Sequence, residues 1–130
     1  MPRRPIVFSL MVVPRRILIV DDSEYFRRSA RDLLVTRGFE VAAVVGDGEA
    51  ARATIDEARP DGVLLDVNLP GEDGFAVASA LCALRPAATI VLTSSDVSVV
   101  PESVLTDCGA AAFVPKTELA TADLDRLFGD

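Results

Sequence analysis

The sequence predicts an α/β fold: one open sheet of five parallel strands, doubly wound with helices on both faces as a three-layer sandwich. From residue 16 onward, short β-branched or aliphatic runs alternate with stretches of helical spacing, as repeated βα units require. The chain has 130 residues and is 50% hydrophobic, which suffices for a single core and argues against disorder. Only two cysteines are present, too few for a disulfide framework.

The first run, Ile17-Leu18-Ile19-Val20, is apolar at every position, as a strand covered on both faces must be, and it stops at Asp21-Asp22. Ser23 caps the next helix, with Glu24 favourable in its first turn. Phe26, Ala30, Leu33 and Leu34 form the apolar stripe of that helix, and Gly38 ends it. Phe39 to Val45 reads as the second strand and Gly46-Asp47-Gly48 as a turn with Asp47 as cap. A second helix with the stripe Ala50, Thr54 and Ala58 then ends before Pro60. The third strand, Gly62-Val63-Leu64-Leu65, again terminates in an acid, Asp66, before a loop, Asn68-Leu69-Pro70-Gly71, that no helix crosses.

A third helix is expected from Gly74 to Arg85. Thr89 to Leu92 form the fourth strand, ending in Thr93-Ser94-Ser95. Val97, Val100, Val104 and Cys108 keep helical spacing, but proline fits only a first turn, so the fourth helix is expected from Pro101 to Cys108. Ala111 to Val114 form the fifth strand, ending in Pro115-Lys116. A last helix, capped by Thr117, carries Leu119, Leu124, Leu127 and Phe128. Right-handed crossovers on such a sheet give the flavodoxin-like strand order 2-1-3-4-5, with ligands at the carboxyl ends of the strands near the switch between strands one and three.

Composition narrows the chemistry. The absence of histidine removes Ser-His-Asp and Cys-His nucleophile systems, histidine metal sites and imidazole bases together. A net charge of −7 argues against a phosphate-tracking nucleic-acid surface; the only basic pairs are Arg3-Arg4, Arg15-Arg16 and Arg27-Arg28. Of 13 cations, Lys116 is the single lysine. Cys82 and Cys108 lie in apolar stretches and read as buried reduced thiols, in keeping with a cytoplasmic location.

No apolar run approaches the ~18 residues of a membrane span. Residues 1–14 hold a stretch, Met1 to Val13, that loosely resembles a signal peptide, with Arg3-Arg4 before an apolar run but no small-residue cleavage site. They are read as a flexible extension ahead of a domain over 15–130, a weak membrane or partner contact being the alternative.

The carboxyl ends of the strands gather Asp21-Asp22, Asp66, Thr93 and Lys116. Three carboxylates at one place repel unless a cation lies between them, and all-oxygen ligation selects a hard ion such as Mg²⁺, with Mn²⁺ as a substitute. A carboxylate can attack a phosphoryl group when a metal and an ammonium neutralise the incoming charge, and a hydroxyl can bond a phosphoryl oxygen. Taken singly, each residue has a plainer explanation: Asp21 and Asp22 as loop caps, Asp66 as a turn residue, Lys116 as a solvated cation. Those explanations do not predict that all of them end strands.

With these motifs the sequence resembles the response regulator receiver domain of two-component signalling, over about residues 15 to 128. The resemblance rests on Ile17-Leu18-Ile19-Val20-Asp21-Asp22-Ser23, on residues 63–74 from Val63 through Asp66 and Asn68 to Gly74, on Val91-Leu92-Thr93-Ser94-Ser95 and on Phe113-Val114-Pro115-Lys116. It implies that Asp66 accepts a phosphoryl group from a sensor histidine kinase or histidine phosphotransfer protein. It further implies that Asp21, Asp22, Asp66 and the backbone carbonyl of Asn68 hold Mg²⁺, and that Thr93 and Lys116 contact phosphoryl oxygens. By the same resemblance Thr93 and Phe113 form a switch, Ser94 offers its backbone N–H, and Ser95 and the Asn68 side chain tune phosphoryl lifetime.

The sequence departs from the family in two places. Family members often carry proline directly after the lysine, whereas here Pro115 precedes it and Thr117 follows, so Lys116 must be positioned another way. Pro101 shortens the fourth helix, part of the usual signalling face. With 14 residues after Lys116, the expected protein is a stand-alone receiver whose output is binding of a further protein. The competing readings are a phosphorylation-independent interaction module and a carboxylate-nucleophile phosphatase. The phosphatase needs a second aspartate two residues after the nucleophile, where Asn68 stands.

Overall fold

A computed structural model describes residues 13–129. The expected extension, residues 1–14, lies outside the described residues except for Val13 and Pro14, which are exposed and without regular structure. The elements in chain order are β1 (Arg16–Val20), α1 (Glu24–Thr36), β2 (Glu40–Val45), α2 (Gly48–Ala58), β3 (Gly62–Asp66), α3 (Gly74–Leu84), β4 (Thr89–Ser94), α4 (Glu102–Cys108), β5 (Ala112–Pro115), a 3₁₀ helix (Lys116–Thr121) and α5 (Leu124–Leu127). All strand pairs are parallel, in the order β2-β1-β3-β4-β5.

Alternation along the strands divides the core into two layers. Leu18, Val20, Val63, Leu65, Ile90 and Leu92 face Ala51 and Ile55 of α2, Val77, Ala78 and Leu81 of α3, and Cys108 of α4. Ile17, Ile19, Leu64 and Val91 face Ala30 and Leu34 of α1, Leu119 of the 3₁₀ helix, and Leu124 and Phe128. The central strands β1 and β3 serve both layers, hence their continuous apolar runs.

Helix starts follow the cap chemistry read from the sequence. Ser23 Oγ accepts the Phe26 N–H at 3.1 Å, and Asp47 Oδ1 accepts the Ala50 N–H at 2.7 Å. Pro101 is the N-cap of α4, its carbonyl accepting the N–H groups of Val104 and Leu105, so the shortened helix starts where a missing donor costs nothing.

Three expectations are corrected. The last segment is not one helix capped by Thr117. A 3₁₀ helix begins at Lys116, Ala122 turns extended (φ −75°, ψ 154°), and Asp123 caps α5 by accepting the Arg126 N–H at 3.2 Å. The step from Leu119 to Leu124 is five residues, too long for one helical face, and the extended Ala122 resets the phase. The buried face of α2 is Gly48, Ala51, Ile55 and Ala58, leaving Ala50 and Thr54 half-buried, because the larger Ile55 takes the core. Cys82 is half-buried, whereas Cys108 is buried as expected.

Candidate functional site

The site is built at the carboxyl ends of β1, β3, β4 and β5. Asp21 follows β1 and still donates its N–H to the Val45 carbonyl at 3.1 Å, so the strand ladder fixes its backbone. Its side chain turns into the site: Oδ1 accepts the Ser23 N–H at 2.8 Å, while Arg27 donates to the Asp21 carbonyl at 2.7 Å. Asp66, the last residue of β3, accepts the Asn68 N–H through Oδ1 at 2.9 Å. Asp21 and Asp66 are buried, and Asp22 beside them is exposed.

One carboxylate oxygen from each of Asp21, Asp22 and Asp66 lies within 4.8 Å of the others. The Lys116 ammonium bridges two of them, 2.8 Å from Asp21 Oδ2 and 3.3 Å from Asp66 Oδ2. Burial pushes the Asp21 pKa up, and the negative charge of Asp66 adds to this; Lys116 and the Ser23 N–H pull the other way without cancelling it. For Lys116 burial works against the charge, but the hydrogen bond and charge of Asp21 and the charge of Asp66 outweigh it and hold its pKa above the ordinary lysine value.

Asp21 Oδ2 tests whether a cation fits. It has no access to solvent, and the partner it faces among the described residues is the Lys116 ammonium at 2.8 Å. Three carboxylate oxygens gathered within 4.8 Å, one of them shut off from solvent and faced by a single ammonium, form a donor set that suits a hard divalent ion.

Thr93 is buried at the end of β4, where its hydroxyl donates to the Val114 carbonyl of β5 at 2.7 Å. Phe113 is half-buried on the neighbouring strand. The Asn68 side chain donates to Ser94 Oγ at 2.8 Å and Asp96 Oδ2 at 3.3 Å, tying the loop after β3 to the loop after β4. Ser94 Oγ also accepts the N–H groups of Asp96 and Val97, each at 3.0 Å, whereas Ser95 is exposed. The strand ends thus bring together Asp21, Asp22, Asp66 and Lys116, with Asn68, Thr93 and Ser94 around them and Phe113 and Ser95 at the margin.

Residues 17–127 match the profile of the response regulator receiver domain. The chain belongs to that family. This receiver domain is 40% identical over 112 residues to protein-glutamate methylesterase/protein-glutamine glutaminase 2 of Anaeromyxobacter dehalogenans, covering 85% of this chain and 32% of that protein. It is 35% identical over 104 residues to transcriptional regulatory protein PdtaR of Mycobacterium tuberculosis, covering 80% and 50% of the two chains. The match thus spans about a third to a half of the length of these curated relatives. Among solved structures, chemotaxis protein CheY4 of Vibrio cholerae matches with a TM-score of 0.76 at 26% identity, covering 88% of this chain and 99% of that one. The receiver fold of two-component signalling is therefore shown, and no helix among the described residues is long and apolar enough to cross a membrane.

Two residues of the receiver site escape a reading of spacing alone. Phe26 places its ring centroid 4.2 Å from Lys116 Nζ, and Arg27 holds the Asp21 carbonyl. Helical periodicity reads the first as core and the second as part of a solvated basic pair. Their position in the first turn after a site-bearing strand is the signal that could have found them, since that turn overhangs the strand end.

Proposed function

We propose that this chain works in the cytoplasm, that Asp66 accepts a phosphoryl group from a phosphohistidine on a sensor histidine kinase or histidine phosphotransfer protein, and that the aspartyl phosphate switches a surface bound by a further protein. The observation that carries this reading is the trio of carboxylate oxygens within 4.8 Å, together with an ammonium ion-paired to two of the three residues. Oxygens of Asp21, Asp22 and Asp66 and the Asn68 carbonyl are the groups that would hold Mg²⁺, or Mn²⁺ in its place. When bound, the ion offsets the charge of the carboxylates and of the incoming phosphoryl oxygens.

An Asp66 carboxylate oxygen forms the new P–O bond while the P–N bond of the phosphohistidine breaks. The bonding pair leaves on the imidazole nitrogen, which takes a proton from solvent. Lys116 shifts from its carboxylate partners toward a phosphoryl oxygen, and the Ser94 backbone N–H supplies another donor. Thr93 gives up the Val114 carbonyl to reach the phosphoryl group, which leaves β5 with an unpaired acceptor and Phe113 with room to turn inward. The Asn68 side chain and Ser95 stand on the loops that limit water access and so set the lifetime of the phosphoryl group.

Incubation with acetyl phosphate and Mg²⁺ should add one phosphoryl group, lost in Asp66→Asn with the fold intact by circular dichroism. Labelling that persists at another residue would sink the assignment. Failure of wild type both to bind Mg²⁺ and to be labelled would favour a phosphorylation-independent module, and steady turnover of small phosphate esters a phosphatase.

A further inference from the structure

Lys116 is the only lysine in the chain, and it stands among buried acids without a proline after it. Two sides of its ammonium face Asp21 and Asp66. A third side lies over the Phe26 ring, 4.2 Å from the centroid, well inside the ~6 Å at which a ring quadrupole attracts a cation. The Lys116 side chain is only 15% exposed, so little water competes for that face. Ser23 Oγ holds the Phe26 backbone by accepting its N–H, and the half-buried side chain packs against the core layer of Ala30, Leu34 and Leu119 while lining a crevice with Lys116.

We propose that Phe26 is a positioning residue for Lys116, its ring forming the wall that keeps the ammonium over the carboxylates in the place from which it meets a phosphoryl oxygen. The role rests on Asp66 being the phosphoryl acceptor. A lysine stem is long and rich in rotamers, so an ammonium bounded only by two carboxylates would have an open path to solvent on the α1 side. The ring stands across that side, 4.2 Å from the ammonium, beside the crevice that Phe26 and Lys116 both line. It also suits a group that must move, because a π face attracts the charge without a directed bond, letting the ammonium slide toward an arriving phosphoryl group. In this chain the cap of α1 and the ring after it restrain a lysine that has no proline after it.

The single lysine makes the test specific. Protein labelled with ¹³C and ¹⁵N in lysine alone gives one set of side-chain resonances, and a ring at this distance should shift the Lys116 ε-methylene protons upfield of their unfolded positions. Phe26→Leu, which keeps apolar bulk but removes the π face, should lose that shift and slow labelling by acetyl phosphate by about three- to tenfold. Phe26→Tyr should restore both, and Mg²⁺ affinity should be the same in all three proteins. An unshifted ε-methylene in wild type, or Phe26→Leu labelled at the wild-type rate with its fold intact, overturns the proposal. A shifted resonance in a wild-type protein that no phosphodonor labels would leave the contact standing but overturn both the acceptor reading and this role.

Discussion

Asp21 meets two opposed demands. It must be ionised to hold a cation, yet burial, reinforced by the charge of Asp66, raises its pKa despite the nearby ammonium. A carboxyl group whose folded pKa lies above its unfolded one contributes stability that is full below the unfolded value and is lost as pH rises through the folded one. At neutral pH without metal, ionised Asp21 therefore weakens the fold. Asp21→Asn, an uncharged isostere, should melt above wild type at pH 7 without divalent ions, and the gap should close as pH falls below the ordinary aspartate range. A calorimetric melting series against pH checks this; a gap that widens on acidification refutes it. The same residue shows what spacing can convey. Asp21, Asp66, Thr93 and Lys116 were legible because each ends an apolar strand, whereas Phe26 and Arg27 reach Lys116 and Asp21 across a turn whose path depends on how α1 packs. Periodicity registers only that Phe26 is apolar and Arg27 charged.

Among the elements, strands and their order were legible because buried parallel strands leave continuous apolar runs, and α4 because proline dictates where a helix starts. The segment after β5 was not, since its apolar residues fit a helix only if the five-residue step from Leu119 to Leu124 is ignored. Asp123 is the residue that restarts the helix there, and Asp123→Ala should cost about 0.5–2 kcal/mol in urea unfolding while leaving Mg²⁺ binding unchanged. Gly74, at the start of α3, should behave differently. A Cβ at this position would stand 2.3 Å from Val67 Cα and 2.4 Å from the Val67 carbonyl oxygen, so the backbone between Asp66 and Asn68 must move to admit it. Gly74→Ala should therefore cost about 1–3 kcal/mol or more and also weaken Mg²⁺ binding, because it displaces the loop that follows Asp66. Equal Mg²⁺ affinity in that variant would show that the loop yields elsewhere.

At the scale of the whole molecule, the sheet makes its two apolar layers one unfolding unit. Leu18 and Ile19 are neighbours in β1 but face opposite layers, and both are fully buried. Truncating either to alanine should cost about 2–5 kcal/mol and shift the same single transition, since neither layer survives without the strand they share. The carboxylate cluster stands at one end of those strands, so an ion held there is linked to the entire fold. Unfolding separates Asp21 and Asp22 from Asp66, which are far apart in sequence, so the unfolded chain has no such site. Mass action then gives about 2.7 kcal/mol of added stability at a Mg²⁺ concentration of 100 Kd, a rise in melting temperature on the order of 10 °C for a domain of this size. Asp22→Asn should abolish that rise with little effect on metal-free stability, because the Asp22 side chain is exposed and its loss uncovers no core. Arg16→Ala, at the opposite end of β1, should lower stability with and without Mg²⁺ alike and leave the increment intact. An increment that survived in both variants would mean that the ion stabilises the chain through general screening of its −7 net charge rather than through this site.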